Sequence, residues 1–168
     1  MRGPSPFTQG QRELIAAYVS GLNACDYCHG THVGVAEACG VAPGLIKELL
    51  HDIETAPVDA RMKPILRYAW KLTLTPASMT EADASAIYDA GWQDDALYST
   101  VLVVALFNFY NRLVEGVGLA LPDGHVPEAA KLRHVRPNDA GINLVASSAM
   151  ATRRSHVSAS RSCRSSRR

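Results

Sequence analysis

Three features of the sequence predict an all-α fold. Apolar residues recur three and four positions apart, which lines them along one side of a helix. Capping residues open several of these stretches, and glycine or proline closes them. No stretch alternates apolar and polar as a half-buried strand would, and no two-residue hairpin turn joins two such runs. A chain of 168 residues suits one domain with a real core.

The elements follow in order. Thr8 caps a first helix through about Asn23, with Leu14, Tyr18 and Leu22 on one face. Asn23 is read as the cap of a second helix, from about Ala24 to Cys39, that stops at Gly40. Pro43 opens a short third helix whose apolar side is Leu45, Ile46, Leu49 and Leu50. Asp59 through Thr73 gives a fourth, where Pro64 demands either a late start near residue 63 or a kink. Thr80 and Asp83 resemble a capping box, and Gly91 ends that fifth helix. The last begins at Asp94 or Asp95 and runs to about Gly116. Its centre, Val101–Phe107, is apolar all round and by periodicity alone could be a buried strand. The polar set Asn108, Asn111, Arg112 and Glu115, spaced i, i+3, i+4, i+7, decides for helix.

Charge divides the chain. The formal net charge is +1, but residues 150–168 hold six arginines and no acid. Residues 1–149 therefore carry eleven basic against sixteen acidic side chains, a mildly acidic body that argues against nucleic acid as a partner. A helical domain over residues 1–145 and a basic tail over 146–168 are expected, the tail too poor in large apolar residues to order itself. The apolar run Val101–Phe107 is only seven residues long and no signal peptide is visible, so no membrane association and a cytoplasmic location are expected.

The chemistry concentrates in Cys25-Asp26-Tyr27-Cys28-His29-Gly30-Thr31-His32. On a helix, Cys25 and His32 point within roughly 20° of each other and Cys28 lies roughly 60° away. Two thiols this close can form a disulfide, and the imidazole offers a proton acceptor. With Asn23 as cap, both cysteines fall in the first turn, where partly positive N–H groups favour thiolate. These residues propose a redox dithiol at a helix N-terminus. Cys25-x-x-Cys28-His29 also satisfies a c-type haem attachment pattern, but haem attachment needs export and usually a second axial ligand. Zinc held by Cys25, Cys28, His32 and Cys39 would place its ligands along one helix, a stripe that cannot readily wrap a tetrahedral ion. No metal and no cofactor are expected. His29 is read as solvent-facing rather than as a second proton carrier, Cys39 as a packed residue near a helix end and Cys163 as a tail thiol. Asn108, Asn111 and Arg112 either line the site or tie helices together across subunits.

Glu13, eleven residues, Cys25, two residues, Cys28, three residues, His32 resembles the active-site pattern of the AhpD-like alkylhydroperoxidases, in the carboxymuconolactone decarboxylase superfamily. Arg-Glu-Leu-Ile at 12–15, Leu-Asn-Ala-Cys at 22–25 and Asn-Phe-Tyr-Asn-Arg-Leu at 108–113 are similar to its peroxidase-related branch, and the similarity covers roughly residues 8–122. The resemblance implies an AhpD-like helical domain with helices packed between the subunits of a trimer or hexamer. It implies hydroperoxide reduction, with Cys28 as the attacking sulfur, Cys25 as resolver and Glu13 and His32 as a proton relay. The implied reductant is a thiol or a dihydrolipoyl-type group. Longer relatives carry further helices before the segment matching Thr8, so an N-terminally truncated domain is expected. Two other functions fit the same residues: a redox-sensing helical module whose disulfide is the signal, or a carboxymuconolactone-decarboxylase-like enzyme. The paired thiols weigh against the second, since the decarboxylases lack them.

Overall fold

The structure is a computed structural model that describes Met1 and residues 3–120. Among these residues there are six α-helices and no strand: α1 (Gln9–Leu22), α2 (Asp26–Ala38), α3 (Leu45–His51), α4 (Met62–Leu74), α5 (Glu81–Asp89) and α6 (Asp94–Gly116). A 3₁₀ turn at Pro76–Ser78 precedes α5. The expected boundary near residue 145, the basic tail and Cys163 lie outside the described residues.

Helix α1 is the axis of the fold. Every residue from Glu13 to Ser20 is buried, because α2, α3, α4 and α6 all pack on it. Ile15, Ala16, Ala17 and Val19 meet Leu49 of α3, Ile65, Leu66 and Ala69 of α4, and Val104 and Phe107 of α6 in one core cluster. Small side chains at 16 and 17 allow this close packing on several sides. At the start of α1, Thr8 Oγ1 accepts from the Gln11 N–H at 3.2 Å and Gln11 Oε1 accepts from the Thr8 N–H at 2.9 Å. This reciprocal pair is the expected cap.

The other boundaries follow from local chemistry. Helix α4 starts late: Pro64 occupies its first turn, where a missing N–H costs nothing, so there is no kink to explain. Helix α3 begins at Leu45 rather than Pro43, because Gly44 takes a left-handed φ of 81° that a helix cannot include. Asp83 accepts from the Thr80 N–H at 2.7 Å and also binds Lys71 Nζ at 2.6 Å, fixing the start of α5 against α4. Trp92 then closes the α5–α6 corner. Its ring meets Phe7 edge-on at 5.0 Å, and its Nε1 donates to the Arg61 carbonyl at 2.8 Å.

Helix α6 is continuous through Val101–Phe107, as its flanking polar residues predict. Considered whole rather than as the seven-residue run alone, it is long and apolar enough to cross a bilayer by length and composition. One side buries Thr100, Val103, Val104, Phe107 and Asn111 against the core. The opposite side leaves Tyr98, Leu102, Phe109 and Leu113 exposed.

Candidate functional site

The site is built where α1 hands over to α2. Asn23 does not cap the second helix; it is the C-cap of α1, with φ −82° and ψ 0°. Its side chain turns instead to α6, where Nδ2 donates to Asn111 Oδ1 at 2.9 Å and to Asn108 Oδ1 at 3.2 Å. Ala24 then adopts a left-handed φ of 53°, and Cys25 becomes the extended N-cap of α2. Only Cys28 sits inside the first turn of that helix, so the expectation that both thiols would do so is corrected by one residue.

Both thiols are free and buried, Cys25 at 0% and Cys28 at 6% exposure, and they lie within hydrogen-bonding reach of each other. Burial pushes the Cys25 thiol up, to about 12. The Cys28 amide opposes this, while the neighbouring Cys28 thiol and Glu115 carboxyl add to it. The expected thiolate-favouring effect of the helix start is therefore overridden at Cys25, because removing a sulfur anion from water costs more than one N–H returns.

Glu13 and His32 are brought together from α1 and α2. Glu13 is only 4% exposed, and its Oε2 accepts from His32 Nδ1 at 2.6 Å. A carboxylate this deep requires such a partner, since an unpaired buried charge is prohibitively costly. The bond fixes the His32 tautomer with its proton on Nδ1, leaving Nε2 as the nitrogen able to exchange protons. Phe107 of α6 meets the imidazole edge-on at 4.5 Å. His32 follows Cys28 by four residues, one helical turn along the same face.

Other expectations are corrected. His29 is buried rather than solvent-facing, at 3% exposure, and its Nδ1–H donates to the Ala17 carbonyl at 2.8 Å. Burial lowers its readiness to take a proton, so it serves as a neutral strut between α1 and α2. Cys39 is exposed at the end of α2 rather than packed. Asn108 and Asn111 tie helices together within one subunit: Asn111 Nδ2 donates to Ser20 Oγ at 3.0 Å and Asn108 Nδ2 to Thr73 Oγ1 at 3.3 Å. Among the described residues no group of three or more His, Cys, Asp or Glu side chains is arranged to hold a metal ion. Ser20, Asn23, Phe107 and Glu115 went unassigned as site residues. The i, i+3, i+4, i+7 spacing of Asn108, Asn111, Arg112 and Glu115 puts Glu115 on the same face of α6 as the two asparagines.

Fold and site together define a helical protein that carries a buried C-x-x-C dithiol where two of its helices join. By its fold the chain is similar to solved structures of AhpD-like, peroxidase-related proteins. It matches the crystal structure of an uncharacterized peroxidase-related protein from Silicibacter sp. TM1040 with a TM-score of 0.67 at 31% identity, over 71% of this chain and 63% of that one. The structure of an alkylhydroperoxidase AhpD core, an uncharacterized peroxidase-related protein from Ralstonia eutropha JMP134, matches with a TM-score of 0.68 over 73% of this chain and 65% of that one. At 24% identity the second likeness speaks to the fold alone. The chain thus spans a little under two thirds of the length of either solved neighbour. No protein-family model and no curated protein matches the sequence.

Proposed function

We propose that this protein is a cytoplasmic thiol-dependent peroxidase that reduces hydroperoxides through Cys25 and Cys28, with Glu13 and His32 as the proton relay. The observation that carries the reading is the 2.6 Å bond between Glu13 and His32. It joins two ionisable groups nineteen residues apart, on different helices, one turn from a buried dithiol. A purely structural core would fill that volume with apolar side chains at lower cost.

In the proposed cycle Cys28 is the attacking sulfur, as the family resemblance implies, and burial of Cys25 as a thiol supports that order. His32 takes the Cys28 proton, the thiolate attacks the terminal hydroxyl oxygen of the peroxide, the O–O bond breaks with alkoxide or hydroxide leaving, and Cys28 becomes a sulfenic acid. His32 gives a proton to the departing alkoxide, so alcohol or water leaves, and Glu13 stabilises the imidazolium while it exists. Cys25 then attacks the sulfenic sulfur. Its proton and the sulfenic hydroxyl depart as water, and a Cys25–Cys28 disulfide remains. A dithiol reductant, of the dihydrolipoyl type or another, reopens it by thiol exchange and restores two protons and two electrons.

We also propose that the protein works as a homo-oligomer, a trimer or hexamer with helices packed between subunits. Tyr98, Leu102, Leu106, Phe109, Leu113 and Val117 share one face of α6 by their spacing, and all are exposed in the single chain. A second copy would cover this stripe.

A peroxide assay with dithiothreitol or dihydrolipoamide as reductant tests the function. Catalytic turnover, with an internal Cys25–Cys28 disulfide found by peptide mapping, is the expected result. Oxidation that stops after one equivalent would make the protein a redox sensor instead. Activity that survives loss of both thiols would point to decarboxylase-like chemistry. Two thiols still open to alkylation after peroxide would end the redox reading.

A further inference from the structure

Four helices among the described residues end in the same backbone arrangement, and one of them is anomalous. At each end, an N–H bonds back three residues while the next N–H bonds back five, closing the last turn around a left-handed residue. Gly40 does this after α2, Gly91 after α5 and Gly118 after α6, through the bonds from Gly40 to Glu37, from Gly91 to Tyr88 and from Gly118 to Glu115. At the end of α1 the Ala24 N–H bonds Gly21 at 3.0 Å and the Cys25 N–H bonds Ser20 at 3.0 Å. The left-handed residue there is alanine, the one non-glycine with positive φ among the described residues. An L side chain resists this conformation, so something must hold it.

The holder is on α6. Asn111 is 1% exposed, and its side chain spans the turn: Oδ1 accepts from Asn23 Nδ2 at 2.9 Å and Nδ2 donates to Ser20 Oγ at 3.0 Å. Ser20 accepts the closing Cys25 bond through its own carbonyl, and Asn23 immediately precedes the left-handed residue. Asn108 Oδ1 also accepts from Asn23 at 3.2 Å and is itself held by Arg112 Nη1 at 2.9 Å. The residue after the strained one is Cys25, which therefore serves at once as the closing residue of α1 and the N-cap of α2.

We infer that Asn111 is a positioning residue for the dithiol: through Ser20 and Asn23 it clamps the left-handed turn at Ala24 that seats Cys25 over the first turn of α2. The inference rests on the redox reading of Cys25 and Cys28. Releasing the clamp lets the turn relax toward ordinary φ and carries Cys25 away from Cys28. The effective concentration of one thiol at the other then falls, and the disulfide becomes easier to reduce.

The test is a thermodynamic cycle on the full chain, comprising Asn111→Ala, Ala24→Gly and both together. Each protein is equilibrated in glutathione redox buffers, and the Cys25–Cys28 disulfide is counted by alkylation and peptide mapping. Asn111→Ala is expected to lower the equilibrium constant for disulfide formation about 10-fold, roughly 30 mV for a two-electron couple. With glycine at 24, where the left-handed turn needs no holder, the same substitution should cost less than about 3-fold. Asn23→Ala, which removes the clamp from its partially exposed end, should repeat the pattern and serves if Asn111→Ala fails to fold. An unchanged equilibrium constant in folded Asn111→Ala or Asn23→Ala, or an equal loss in the Ala24→Gly background, overturns the inference and leaves Asn111 a tie between α1 and α6. A wild-type chain that forms no internal disulfide overturns this inference and the redox reading together. One that forms it without turning over peroxide overturns only the peroxidase reading.

Discussion

Replacing Glu13 by glutamine separates chemistry from stability at the centre of the site. Glutamine has the same shape, and its Oε1 can still accept from His32 Nδ1 across the 2.6 Å contact. What disappears is the negative charge behind an imidazole that must become positive when it carries a proton. The stability cost is the difference between a charge-assisted and a neutral hydrogen bond, about 1 kcal/mol. For a domain of this size that lowers the melting temperature by roughly 4 °C. Turnover should fall by about 10², the usual size of a general acid–base contribution. That factor corresponds to about 2.7 kcal/mol of barrier, so the kinetic effect exceeds the stability effect and the two are separable. Steady-state peroxide consumption at pH 7 with excess dithiothreitol, beside a thermal melt of the reduced protein, measures both. Unchanged turnover in folded Glu13→Gln would remove Glu13 from the relay and reduce the Glu13–His32 pair to a structural tie. A melting temperature lowered by well over 10 °C would show that the carboxylate is principally a structural support.

Four further outcomes are expected. Light scattering should find the protein larger than a monomer at micromolar concentration, and Phe109→Glu on the exposed α6 stripe should shift it toward monomer; a stable wild-type monomer refutes the interface. Because Cys25 ionises near pH 9 in the unfolded chain but only at about 12 in the fold, its contribution to stability is full below pH 9 and is lost as pH rises toward 12. The fall in melting temperature between pH 8 and pH 10 should therefore be smaller in Cys25→Ser, and an identical fall would contradict the assignment. His29 has the opposite sign: burial depresses its protonation, so stability drops as pH falls below about 6.5, and His29→Gln should flatten that acid limb in thermal melts. Gly10→Ala should cost about 1–3 kcal/mol, because the new Cβ would stand 2.9 Å from the Cys39 carbonyl oxygen, a backbone atom that cannot rotate aside. A denaturation midpoint matching wild type would refute that crowding.

The sequence by itself determined the helices and most of their ends. Helical spacing, the Thr8 and Thr80 caps and the glycines at 40 and 91 are local signals, and short-range backbone chemistry obeys them wherever tertiary contacts do not compete. It also placed Cys28 and His32 one turn apart on one face of α2, since a four-residue spacing on a helix admits no other arrangement, whereas Cys25, the extended N-cap, falls outside that periodicity.

Only the tertiary structure decided what those residues face. Glu13 reads locally as an ordinary solvated glutamate beside Leu14 and Ile15, and it is buried because α1 is packed on several sides and His32 meets it from α2. Asn23 reads as a helix cap by residue type, yet its side chain goes to Asn111 of α6, eighty-eight residues away, and the helix starts later in consequence. Ala24 carries no sequence signal for a left-handed turn, because alanine is a helix former that accepts this backbone only when distant contacts impose it. The ionisation of Cys25 turned on the same long-range packing. A helix start taken alone favours the thiolate, but the surrounding core removes water, which is the larger effect, and α6 brings a carboxyl.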